Sequence, residues 1–242
     1  MADTRFTTQT GTQVQIDQGL RSYMLRVYNY MGAGLAITGA AAYGTFHAAV
    51  DATGALTPLG NAVFVSPLKW VLILAPLAMV MLLSFRIEKM SVSAAQLTFW
   101  AYAALVGVSF ASLGLIYTAA SIAQVFFITA GAFGALSLYG YTTKRDLAGL
   151  GSFLFMGLMG LILASLVNLW FQNGMMGMVL SAISVLIFTG LTAWDTQQIK
   201  EMYYEADDVA TVGRKAIMGA LRLYLNFINL FLSLLRLFGN RN

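Results

Sequence analysis

Polar positions dominate the first 26 residues, and long apolar runs follow them to the end of the chain. Thr7, Thr8, Gln9, Thr10 and Gln13 stand in that opening stretch, which lacks the early apolar core of a cleaved signal peptide. The tail is therefore expected to stay on the side where it is made. Seven apolar runs then read as helices over 28–49, 67–86, 97–119, 122–142, 152–171, 177–199 and 217–238. Each is about 20 residues long, enough for a helix to cross a hydrocarbon core of about 30 Å. Breaks fall at turn-forming residues: Asp51, Gly54, Pro58 and Gly60 in a longer first loop, and Gln172, Asn173 and Gly174 in a tight one. A charged stretch from Lys200 to Lys215 separates the last two runs. The pattern predicts an all-α membrane protein: a polar tail over 1–26 and one seven-transmembrane-helix bundle over 27–242.

Composition agrees with that reading. Of 242 residues, 59% are hydrophobic and 10% charged, against about 25% charged in a soluble domain. The net charge of +4 is scattered over helix ends, so no phosphate-binding face forms and no nucleic-acid partner is expected. With no Cys, disulfides, thiolate metal sites and Cys nucleophiles are excluded. Basic residues gather at alternate ends: Arg21 and Arg26, Arg86 and Lys89, Lys144 and Arg145, then Lys200, Arg214 and Lys215, with only Lys69 in the other loops. That alternation predicts a cytoplasmic N-terminus and, with seven spans, an outside C-terminus. Trp70, Trp100, Tyr117, Tyr141, Trp170 and Trp194 are expected at the interfaces. In the first helix, Gly32, Ala36, Ala40, Gly44 and Ala48 form a small-residue stripe suited to close packing against a neighbour. Pro76 falls mid-span in the second.

Two polar stripes carry the candidate chemistry. Arg222, Asn226, Asn229, Ser233 and Arg236 recur at steps of four and three on one face of the last helix. Ser181, Ser184, Thr192 and Asp195 do so on the sixth. Polar groups in hydrocarbon must face protein or water, so both stripes should point inward. Asp195 is the only acid within a predicted span, with Arg86 and Arg222 as the cations able to pair with it. Catalysis finds no support: an intramembrane aspartyl protease needs two carboxylates, and a rhomboid-like protease needs Ser and His in the membrane. The single His47 lies at the outer end of its helix, and no phosphate-cradling Gly-rich motif is present. Neither enzyme activity nor a cofactor is expected.

The segment Ala220 to Gly239 (ALRLYLNFINLFLSLLRLFG) resembles the last helix of the Bax-inhibitor, or transmembrane Bax-inhibitor-motif, family. Trp194, Asp195, Thr196 and Gln197 resemble its aromatic-Asp-Thr-Gln signature, and Lys144 to Leu147 look like its members after the fourth helix. The resemblance implies a seven-helix fold with the last helix central and, for a bacterial member, a multi-pass protein of the inner (plasma) membrane. It implies a pH-modulated calcium leak in which two aspartates share a proton and an arginine pairs with the first. Asp195 matches that first aspartate and Arg86 the arginine, while Asn226 stands where the family usually has the second. An amide adds no charge, so a coupled carboxylate pair is absent and pH sensing rests on Asp195. Asp195, Asn226 and Arg86 are thus the expected gate, and Thr192, Arg222, Asn229, Ser233 and Arg236 the polar path. Calcium would be the permeant ion, with Asp195 as its one carboxylate ligand, a thin site for an ion that takes six to eight oxygens. The alternative is a regulatory membrane protein whose partner is a membrane-anchored quality-control protease, engaged through the polar tail. Ion flux separates the two.

Overall fold

In the computed structural model, which describes the backbone of residues 4–242 and the side chains of residues 18–242, every predicted apolar run is helical over most of its length, the third (97–119) being broken after Phe110. The long helices are α1 (Thr4–Ala49), α2 (Leu68–Arg86), α3 (Val92–Phe110), α4 (Ala119–Thr142), α5 (Ala148–Phe171), α6 (Gly174–Glu201) and α7 (Val209–Phe238). Among the described residues, β structure is limited to two isolated bridges, Val50 with Leu56 and Tyr117 with Arg241. The starts of the helices follow side chains that satisfy orphan backbone N–H groups. Ser91 accepts from Ala94 N, Thr118 from Ser121 N, Asn173 from Met176 N, and Asp208 from both Ala210 N and Thr211 N. Gln172 closes α5 in the left-handed region at φ 50°, which makes the turn into α6 tight.

The largest departure from expectation is at α1, which begins at Thr4 instead of near residue 28. No proline interrupts residues 4–27, so nothing in the backbone stops the helix there. The side chains of residues 1–17, Thr7 and Gln13 among them, lie outside the described residues. Among the described residues, six stretches, one in each of α2 to α7, are long and apolar enough to cross a membrane. Among its described residues α1 holds no such stretch; Gly, Thr, Tyr and His residues interrupt its apolar run. Pro76 is accommodated inside α2 without dividing it.

α7 differs from the other five apolar helices. Of its apolar window 61% is buried, against 11% to 39% for the rest. It packs on α6, α1, α4 and α3. Because lipid tails are as apolar as leucine, burial here gains packing and hydrogen bonds more than hydrophobic transfer. Tyr224 shows how: its ring packs edge-on to Phe99 and Tyr102, and its hydroxyl donates to Thr38 Oγ1 at 2.7 Å. Thr38 Oγ1 in turn reaches Ala103 O at 2.9 Å, so one contact chain joins α7, α1 and α3. Phe227 makes the matching edge-on contacts with Phe126 and Phe133 of α4.

The small-residue stripe of α1 faces the other way. Gly32, Ala36, Ala40, Gly44 and Ala48 are all exposed, and a Cβ at Gly32 or Gly44 would meet nothing. The packing face of α1 lies two positions round the helix, at Gly34 and Thr38. Close backbone approach occurs instead at Gly107, where a Cβ would strike Thr38 O, and at Gly140, where it would strike Ala193 O. Trp70 and Trp170 are exposed, as interface residues should be. Trp100 and Trp194 are only half-buried, but their indole nitrogens point inward.

Candidate functional site

α6 and α7 meet along their polar stripes. Asp195 lies about two turns before the end of α6, and its residue is buried. On α7, Arg222 and Asn226 are four residues apart and so project from one face toward it. Asn226 Nδ2 donates to Asp195 Oδ2 at 2.7 Å, and Arg222 Nη1 stands 3.9 Å from Asp195 Oδ1. The amide bond is short and enclosed. The ion pair is at the outer limit of contact, with the Arg222 side chain 44% exposed.

Arg86, expected as the latch, is exposed at the end of α2. Among the described residues it forms no ion pair; Arg222 takes that place. The four-residue step from Arg222 to Asn226 puts both on one face of α7, but only the packing of α7 on α6 brings that face to Asp195.

Farther along, Ser184 and Ser233 join α6 to α7 at 2.6 Å, and Ser233 donates to Asn229 O at 2.7 Å. Asn229 Nδ2 donates back to Leu225 O at 2.8 Å. Thr192 is fully buried and donates to Phe188 O at 2.7 Å, which takes it off the polar path. A groove of about 680 Å³ runs beside these residues, between α5 and α7 with α6 as its floor. Its polar lining includes Asp195, Arg222, Asn226, Asn229, Ser233 and Arg236. From Arg222 to Arg236 the helix rises roughly 21 Å. Two guanidiniums and one carboxylate line the groove, a net charge of +1 with Asp195 ionised and +2 with it protonated. Among the described residues no group of three His, Asp or Glu side chains could hold a metal. One carboxylate beside two arginines does not fit a resident calcium, which takes six to eight oxygens.

The C-terminal end of α6 holds residues that the polar stripes do not flag. Tyr28 OH donates to Ser137 Oγ at 2.6 Å, and Ser137 to Thr196 Oγ1 at 2.9 Å, linking α1, α4 and α6 one residue from Asp195. Gln197 accepts from Leu147 N at 2.9 Å and donates to Arg145 O at 2.8 Å. The Asp-Thr-Gln run thus clamps the basic loop after α4, and the two short sequence signatures are one structure. Lys215 closes the loop between α6 and α7 through Asp207 at 2.5 Å and Met202 O at 2.9 Å.

This chain matches the family described as inhibitor of apoptosis-promoting Bax1 over residues 20–242. It is 47% identical over 230 residues to the inner membrane protein YbhL of Escherichia coli K12, covering 94% of this chain and 95% of that one. A Rickettsia prowazekii protein of unassigned function is 45% identical over 238 residues, 98% of each chain. A third, from Deinococcus radiodurans, is 37% identical over 230 residues and 95% of each. The helical fold, the match over nearly all of the chain and the clamp built from its two signatures lead to one conclusion: the protein belongs to the Bax-inhibitor family of membrane proteins.

Proposed function

We propose that the protein is a pH-modulated cation leak, with calcium as the permeant ion, gated where Asp195 meets α7. The observation that carries this reading is the buried Asp195 carboxylate, held by Asn226 at 2.7 Å and faced by Arg222 at 3.9 Å at one end of the groove. Such a carboxylate in a span is costly and is kept by default for function. Protonating it removes the charge that Arg222 answers and raises the groove from +1 to +2. Cation entry is then disfavoured, so flux should fall as pH falls through the pKa of Asp195. α1 serves as a seventh span and α7 as the axis of the bundle, in line with its contacts to four other helices. The N-terminus is cytoplasmic and the C-terminus outside, in an inner membrane such as the one the name of YbhL states for that relative. The protein has no catalytic role and no cofactor.

Calcium efflux from proteoliposomes across pH tests the gate. Wild type should lose flux in acid, and Asp195→Asn should give a flat profile with the fold intact, because the amide is nearly isosteric. A profile unchanged by Asp195→Asn removes Asp195 from the mechanism and leaves regulation of a partner such as a membrane-anchored protease as the reading.

A further inference from the structure

A second cavity, of about 690 Å³, opens between α1 and α4 and shares no lining residue with the α5–α7 groove. α1 packs on α3 and α7, and α4 on α6 and α7, and Arg21 and Tyr141 are among the residues that line the space between α1 and α4. The Tyr28 to Ser137 hydrogen bond bridges them. Arg21, Met24, Leu25 and Tyr28 recur at helical spacing on the α1 wall, while Phe133 and Leu138 are among those facing them from α4. The lining is apolar along most of its length, with Arg21 as its one charged residue. At the same end, Lys200 donates to Tyr141 O at 2.9 Å and lies 5.8 Å from the Tyr141 ring centre. An apolar slot of roughly 10 Å along the helices, with cations at one end only, matches one ligand chemistry: an acyl chain below an anionic headgroup.

We propose that this crevice binds one anionic glycerophospholipid, its phosphate on Arg21 and one acyl chain between α1 and α4. Tyr28 already directs its proton to Ser137, so the headgroup contact falls to Arg21 at the mouth, with Lys200 adding charge nearby. Gly134 lines the slot, and a Cβ there would meet nothing within 4 Å. Its missing side chain leaves the space that the lipid occupies.

Native mass spectrometry of the full detergent-solubilised chain tests this, titrating dioleoyl phosphatidylglycerol against dioleoyl phosphatidylcholine. Wild type should retain phosphatidylglycerol in preference. Arg21→Gln should cut that preference roughly fivefold, the weight of one basic residue at an anionic headgroup. Gly134→Leu should lower retention of both lipids by filling the slot. Equal retention of the two lipids by wild type, or phosphatidylglycerol binding unchanged in both variants, overturns the proposal. Because Arg21 and Gly134 are both exposed, neither change should disturb packing, and matching circular-dichroism melts check that. The Asp195 gate plays no part in this test, so either reading can fail alone.

Discussion

An amide can serve a carboxylate in both of its protonation states, donating to the ion and, with the side chain turned, accepting from the acid. Asn226 therefore holds Asp195 at 2.7 Å without dictating its charge, and the charge is answered by a looser guanidinium at 3.9 Å. Two carboxylates in the same place would behave differently, because they would titrate as a coupled pair. Asn226→Asp should consequently turn a single-step dependence of calcium flux on pH into a broad or two-step one, read in the proteoliposome assay. A profile that keeps one sharp step would mean that position 226 does not sense Asp195. Both residues were legible in the sequence as members of polar stripes. Their pairing with Arg222 instead of Arg86 was not, since spacing along one helix says nothing about which distant helix end comes near.

At the scale of elements, close packing depends on a few positions. Gly140 of α4 lies so near Ala193 O of α6 that a Cβ would strike the backbone, which cannot give way as a side chain can. Gly140→Leu should lower stability by about 1–3 kcal/mol, the usual effect of overpacking, seen as an earlier thermal melt in detergent. The start of α7 supplies a pH test. Hydrogen bonding from the Thr211 side chain, helped by the backbone N–H groups of Thr211 and Ala210, holds the exposed Asp208 carboxyl below its ordinary value of 3.8. Its stabilisation is present above that ordinary value and is lost as pH falls through the depressed one. Asp208→Ala should lower the melting temperature at neutral pH, and the gap from wild type should close in strong acid. A gap constant with pH would show that the cap's charge is irrelevant. From α2 onward, helix positions were readable from apolar run length and from the turn-forming residues between runs. The face that each helix buries was not: the small-residue stripe of α1 has the right spacing for packing, yet it is exposed along its length.

Across the whole molecule, hydrogen bonds tie the C-terminus to one helix connection. Asn242 N donates to Ile116 O at 3.0 Å, Thr118 N to Asn240 O at 3.1 Å, and Asn240 N to Ser121 Oγ at 2.9 Å. The last residues of the chain therefore lie with the α3–α4 connection, which the alternation of basic residues predicts to be outside. A reporter fused at Asn242 should read outside; an inside readout would remove either the seventh span or the orientation. The same test bears on α1, whose apolarity alone does not qualify it as a span.

Membrane residence, helical class, the positions of the six apolar helices α2 to α7 and the single acid within a predicted span could be read from the sequence alone. The reason is that run length, charge alternation and the cost of a carboxylate in hydrocarbon are all local properties of the chain. Tertiary structure decided which cation answers Asp195, which stripe packs and which faces outward, and that a groove holding two arginines surrounds one acid. It also decided that the two family signatures meet through Gln197. Those outcomes depend on how helices rotate and cross. Rotation and crossing are set by packing and hydrogen bonds between segments far apart in sequence, and within a bilayer no hydrophobic gradient marks in advance which apolar face will be buried.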